Sequence, residues 1–350
     1  MKKIDTPLIT KGKGHKNQNS SRGKMFGYQV LGFGSGGVKA IDYNLDYLVV
    51  GGGGAGATMG GGGGAGGYRA SGYGPSPLRN PALSFCGVAS GTVYDVTVGA
   101  GGAGNPITPE NAPTPTRNGT DSIFNPGGSE NTTTITADGG GSGNGGPGGS
   151  GGGGGTGCSV ATAGSGNTPP RSPKSQGNPG GNAVSAINPS NAGASGGGGG
   201  ATEAGVAGSG SNPSPLTTGR GGAGAPNDIT GSALSYAGGG GGGGFSYNSG
   251  GGGSPCGTGG AGGTGGGPPT GNSTGGANGT TNRGGGGGGA GRDGAGGMTA
   301  PNGSGGPGVV IIRGPSAVTF AVTPGCNSTS THPGGDKIAT FVATGTLKIS

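Results

Sequence analysis

Large apolar positions are few in this chain and fall into short runs. Asp46-Tyr47-Leu48-Val49-Val50 and Gly308-Val309-Val310-Ile311-Ile312-Arg313 have the continuous apolar character of strands buried on both faces. Gly91-Thr92-Val93-Tyr94-Asp95-Val96-Thr97-Val98 mixes apolar and polar positions and predicts a further strand, with Val93, Val96 and Val98 as its inward positions. Thr132–Thr136 is a weaker strand pattern, and Thr340–Ile349 reads as one strand that ends the chain. Met25–Gly34 alternates large and small residues and reads either as a strand of this fold or as a strip lying extended on a partner.

Between these pieces the pattern is glycine. Runs fill 60–64, 151–155, 196–200, 238–244 and 284–289, an irregular repeat of one glycine segment and one loop rich in Asn, Ser, Thr and Pro. Each glycine opposes helix by about 1 kcal/mol, and a strand of glycine has no side chains to pair. Polyproline II geometry remains open to such a run, with its backbone groups free to bond a neighbouring segment. A collagen triple helix needs glycine at every third place, and Ala201-Thr202-Glu203-Ala204 breaks that register. The expected fold class is therefore irregular and mainly β: a polyglycine II rod bundle with short flanking β-strands, variable loops and little or no helix. Its units are a basic arm (1–41), a glycine-rich domain (42–314) and a C-terminal β segment (315–350).

Composition rules out an ordinary globular enzyme core. The 350 residues include 106 glycines, 26 prolines and no tryptophan, with 27% hydrophobic and 9% charged, the charged share far below the roughly 25% of typical soluble domains. Glycine and proline at this level would read as low-complexity chain, but the patterned β pieces argue for an ordered scaffold. Lys2, Lys3, Lys11, Lys13, Lys16, Arg22, Lys24 and Lys39 against Asp5 place the whole net charge of +7 in the arm. Such an arm fits nucleic acid, an anionic membrane or an acidic protein surface, or is a solvated terminus. The aromatic strip of Phe26, Tyr28 and Phe33 beside that cationic tail reads as a docking peg.

Ile4–Thr10 does not form a signal-peptide apolar region, and no run reaches the length of a membrane span, so synthesis in a cytosol is expected. Cys86, Cys158, Cys256 and Cys326 form no CxxC pair. Free buried thiols are the first expectation, with one or two disulfides as the second.

Gly51–Gly56 after the Tyr47–Val50 strand matches a dinucleotide-binding G-x-G-x-x-G, but more glycine follows where a helix should open, and no acid appears before Asp95. His15 and His332 belong to no catalytic motif. Neither enzymatic activity, a cofactor nor a metal site is expected. Recognition falls to the loops. Tyr68, Tyr73 and Arg79 lie in one Tyr/Arg-bearing stretch, while Tyr236 on one side and Phe245 and Tyr247 on the other flank the longest glycine run. Tyr and Arg are enriched at binding hot spots, and aromatic faces with Asn and Ser donors suit sugars or bacterial surface loops. The same aromatics serve equally as caps of the rod ends.

The ordered succession Tyr47-Leu48-Val49-Val50-Gly, Gly63-Gly64-Ala65-Gly66-Gly67-Tyr68-Arg69, Tyr94–Gly102, Asn118–Phe124 and Gly305–Arg313 resembles the glycine-rich domain of bacteriophage tail-fibre and other virion proteins over about residues 46–313. The rod-and-loop pattern also looks like the tail-tip adhesins of T4-like phages, in which polyglycine II rods display receptor-binding loops. Met25–Gly34 is similar to leader segments of marine-phage structural proteins. The resemblance implies a virion protein assembled in the host bacterial cytoplasm. Lys11, Lys13, Lys16, Arg22, Lys24, Phe26, Tyr28 and Phe33 would then attach it to other virion proteins of fibre, tail or capsid. Tyr68, Tyr73, Arg79, Tyr236, Phe245 and Tyr247 would meet a host surface glycan or outer-membrane protein, and a homo-oligomer stays open. A capsid-decorating or minor structural protein is the second reading, and an ice-binding or wall-associated protein a third that leaves the basic arm unexplained. In that family a strand like Lys337–Ile349 precedes the Tyr-Leu-Val-Val strand, whereas here it closes the chain. It is expected to pair back beside residues 46–50, in its own chain or in a neighbour.

Overall fold

The computed structural model describes residues 40–58, 60–104, 117–125, 134–156, 162–185, 193–210, 216–244, 257–265, 273–291 and 300–350. The attachment residues Lys11, Lys13, Lys16, Arg22, Lys24, Phe26, Tyr28 and Phe33, and the loop residues Phe245 and Tyr247, lie outside the described residues, as do Cys158, Cys256, Thr132 and Thr133.

In chain order the strands are β1 (Ala40–Val50), β2 (Tyr68–Ala70), β3 (Leu83–Ala89), β4 (Thr92–Thr97), β5 (Ser122–Asn125), β6 (Ile135–Ala137), β7 (Val184–Ser185) and β8 (Gly193–Ala194). They continue with β9 (Ala225–Asn227), β10 (Leu234–Tyr236), β11 (Val309–Gly314), β12 (Phe320–Thr323), β13 (Ser328–Thr331), β14 (Lys337–Phe341) and β15 (Gly345–Ile349). Among the described residues helical geometry is limited to a 3-10 turn at Ser76–Leu78 and the 3-10 position Arg117, so the fold is irregular and mainly β, as its glycine content requires.

Two antiparallel sheets form a sandwich. The first runs β13-β14-β11-β1-β2, with β3 pairing the first half of β1, and the second runs β12-β15-β4-β5-β6. The inner faces share one core that includes Leu45, Tyr47, Val49, Val310, Ile312 and Phe341 from the first sheet and Tyr94, Val96, Phe124, Leu347 and Ile349 from the second. Leu48, Val50, Val309 and Ile311 alternate to the other face of the first sheet, where Tyr68, Ile229 and Tyr236 cover them. Burial on both faces is why Tyr47–Val50 and Val309–Ile312 are unbroken apolar runs.

Four expectations need correction. In β4, Tyr94 and Val96 turn inward while Val93 is 53% exposed, because a two-residue period cannot bring 93 and 96 to one face; the aromatic takes the interior, edge-on to Phe85 and Phe124. The pattern 340–349 is two strands rather than one. Asn327 Oδ1 accepts the N–H groups of Val342 and Ala343 at 3.0 and 3.1 Å, making a corner at which the chain crosses from one sheet to the other. Finally, β14 does not lie beside residues 46–50. It pairs with β11, which takes the place next to β1, and β15 pairs with β4. Cys326 also departs from the expectation of buried thiols, being free and exposed.

Strands β1, β4 and β6 run directly into glycine segments, and β2, β5 and β11 emerge from them. Within these segments the backbone bonding has a period of three. Gly51, Gly54 and Ala57 donate to Gly67, Gly64 and Gly61; Gly52 and Ala55 donate to Thr120 and Arg117; Gly53 and Gly56 donate to Gly306 and Gly303, all at 2.8–3.0 Å. On the acceptor side, Gly140 and Gly143 donate to Gly52 and Ala55, Gly287 and Ala290 to Gly54 and Ala57, and Gly102 to Gly53. Segment 51–57 is thus bonded on every side by other backbone. Segments 60–67, 196–201 and 284–291 repeat the arrangement. Buried backbone groups must be paired, and each such bond contributes about 1 kcal/mol net. Side chains are excluded by distance: a Cβ on Gly52 would stand 2.0 Å from the carbonyl oxygen of Ala100.

Candidate functional site

The sandwich and the glycine array meet beside the first sheet, and there the polar residues of β1 and β11 converge. Asp46 and Arg313 are register partners across the β1–β11 pair, the charged positions at the ends of two apolar runs. Arg313 is nearly buried and is held by three contacts. Its Nε donates to Asp336 Oδ2 at 2.9 Å, its Nη2 lies 2.9 Å from the same oxygen, and its Nη1 donates to the Ile229 carbonyl at 3.1 Å. Asp46 Oδ1 accepts from Ser71 Oγ at 2.6 Å, and that hydroxyl accepts the Tyr47 N–H at 2.9 Å. The side chains border a cleft of about 290 Å³ lined by Asn44, Asp46, Arg313, Gly314, Pro315 and Asp336.

Tyr73 stands behind the cleft's Arg313. Its ring lies under the Arg313 guanidinium, 4.4 Å from carbon to centroid, a cation–π contact. Its φ is +64°, a conformation rarely adopted by a bulky residue. The Asp228 N–H bonded to its carbonyl at 3.1 Å and the Arg313 stack hold it there. Such strain is characteristic of ligand and switch sites. Burial raises the Tyr73 hydroxyl's pKa, Arg313 opposes the rise, and Asp46, Asp336 and Asp228 add to it.

The structure separates the other loop candidates. Tyr68 is 1% exposed, and its hydroxyl accepts from Asn227 Nδ2 at 2.8 Å, tying β2 to β9; burial, its largest influence, raises the phenol pKa. Tyr236 is 2% exposed beneath the Arg283 guanidinium, 4.8 Å from its centroid. Both belong to the core between the first sheet and the glycine array. Arg79 is exposed, and its Nε donates to the Gly74 carbonyl at 2.6 Å, closing the loop that carries Tyr73. Among the described loop residues inferred from sequence, Tyr73 and Arg79 reach the surface, and Tyr73 adjoins the cleft.

Asn44, Asp46, Arg313 and Asp336 were not legible as a site. The only signal was a charge at the end of each apolar run, and its meaning depends on which strands pair. Chemically the cleft offers carboxylate and amide acceptors together with guanidinium and amide donors. Among the described residues no group of three His, Cys, Asp or Glu could hold a metal ion, and no helix is long and apolar enough to cross a membrane.

No curated protein and no solved structure matches the chain. A family model described as a glycine-rich domain matches residues 38–315, which takes in β1 through β11 and every glycine segment between them. The chain belongs to this glycine-rich domain family.

Proposed function

We propose that the protein is a bacteriophage virion protein of the tail-fibre or adhesin type. In this reading the glycine segments are polyglycine II rods, and the glycine-rich, β-rich body is a scaffold that displays loops to the host surface. Residues 1–41 attach it to other virion proteins. The observation that carries the reading is the period of three in the backbone bonding of residues 51–57, the period of a polyproline II turn. A body held by backbone bonds leaves its loops free to vary without loss of core, which suits a recognition surface. The partner is a host surface glycan or outer-membrane protein.

Immunogold labelling of particles with antibody to residues 42–350 tests this. Gold at fibre ends supports the adhesin reading. Gold spread over the head favours a capsid-decorating protein, and unlabelled particles contradict a virion role. Arg79→Ala, at an exposed position, lowers attachment to host cells at an unchanged melting temperature if the loop is the receptor contact; unchanged attachment counts against it.

A further inference from the structure

Resting on that adhesin reading, we propose that the cleft between Asn44, Asp46, Arg313, Pro315 and Asp336 is a carbohydrate subsite that takes one neutral sugar residue. Its volume of about 290 Å³ is at the lower end of ligand pockets and fits a small ligand.

The choice of ligand follows from the charges and the hydrogen-bonding groups together. Three contacts to Asp336 and Ile229 keep the Arg313 guanidinium from swinging away. Asp46 and Asp336 repel an anion, and Arg313 is already paired with Asp336. The preference for a sugar over a small cation rests on the hydrogen-bonding groups around the cleft. Asp46 Oδ1 holds Ser71 and Asp336 Oδ2 holds Arg313, so among the described residues the second oxygen of each of these lining carboxylates binds no protein donor. The exposed Asn44 adds an amide that both donates and accepts. Carboxylates and an amide around one small cavity match adjacent hydroxyl groups, each of which donates one bond and accepts others. The Pro315 ring gives the cleft an apolar edge for the C–H face of a pyranose. Ser71, Asp336 and Ile229 hold the polar groups in place before a ligand arrives, which lowers the cost of binding.

The test is saturation-transfer NMR on the full chain with methyl glycosides of glucose, galactose and mannose and with N-acetylglucosamine, alongside methylammonium and inorganic phosphate. At least one neutral sugar is expected to receive saturation, and neither ion. Asn44→Ala, at an exposed position, and Asp46→Asn, which keeps the acceptor for Ser71, each weaken that binding about tenfold, the loss of one good hydrogen bond. No transfer to any of these sugars, preferential binding of either ion, or sugar binding indifferent to both substitutions overturns the proposal. Labelled full chain is also applied to a panel of bacterial strains. Sugar binding without attachment to any strain sinks the adhesin reading and leaves the subsite standing. Attachment that survives both substitutions, with no sugar bound, does the reverse.

Discussion

Gly53 and Gly285 approach so closely that a Cβ on Gly53 would stand 2.1 Å from the Gly285 carbonyl oxygen. The obstacle is backbone of a neighbouring segment that is itself bonded on other sides, so it cannot give way cheaply. Gly53→Ala is expected to cost about 3 kcal/mol of stability, the upper range for overpacking. Gly325→Ala, where nothing lies within 4 Å, should change stability by less than about 0.5 kcal/mol. Paired denaturant melts of the two variants check this, and equal midpoints would show that glycine is not needed for space.

Asn227 links the interior of the site to β2. Tyr68→Phe removes the hydroxyl that accepts from Asn227 Nδ2 and leaves a buried amide donor poorly satisfied, since its other acceptor, the Gly72 carbonyl, is at 3.4 Å. A loss of about 1–3 kcal/mol is expected. Chemical denaturation measures it, and a neutral result would mean that water replaces the phenol.

The segment around Pro169 and Pro173 is fastened by buried polar groups. Asp138 accepts from Arg171 Nε and Nη2 at 2.6 and 2.5 Å and from the Gln176 amide, while Arg69 donates to the carbonyls of Ser172 and Lys174 at 2.9 and 3.0 Å. Asp138→Ala removes the acceptor that Gln176 and Arg171 share, leaving Gln176 Nε2 only the Pro169 carbonyl at 3.2 Å. It should cost about 3 kcal/mol and open the segment to trypsin at Arg171 and Lys174, so limited proteolysis should cut there well before it does in the unsubstituted protein.

Alkaline pH should unfold the protein sharply. Burial is the largest cause raising the phenol pKa values of Tyr43, Tyr47, Tyr68 and Tyr236 above their ordinary value near 10. A raised folded-state value means that the folded chain keeps protons the unfolded chain has released. Their contribution is therefore fully present below about pH 10 and is lost as pH rises through the folded-state values. Tyrosinate absorbance should appear together with loss of the β circular-dichroism signal. Ionisation of these tyrosines well before unfolding would contradict their burial.

Much of the fold was legible because burial leaves a compositional mark. Tyr47–Val50 and Val309–Ile312 had to be covered on both faces, and they are the adjacent strands at the centre of the first sheet. The corner at 342–344 was not legible, because Val342-Ala343-Thr344 continues a strand-like pattern and the break is imposed by Asn327 from another part of the chain. Tyr68 and Tyr236 looked like loop aromatics because their strands are three residues long and set among glycines. Their burial depends on the β9–β10 hairpin folding over the first sheet, a long-range contact that no local pattern encodes. The cleft was hidden for the same reason, since Asp46, Arg313 and Asp336 become neighbours only through strand pairing.

Whether the glycine segments are polyglycine II rods cross-bonded through their backbones is most directly tested by NMR couplings transmitted across hydrogen bonds. In labelled protein, the amide nitrogens of Gly51, Gly52 and Gly53 should couple to the carbonyl carbons of Gly67, Thr120 and Gly306 respectively, three successive residues to three different segments. Their amide protons should also exchange slowly. Absent couplings, with amides exchanging as in an unstructured chain, would contradict it.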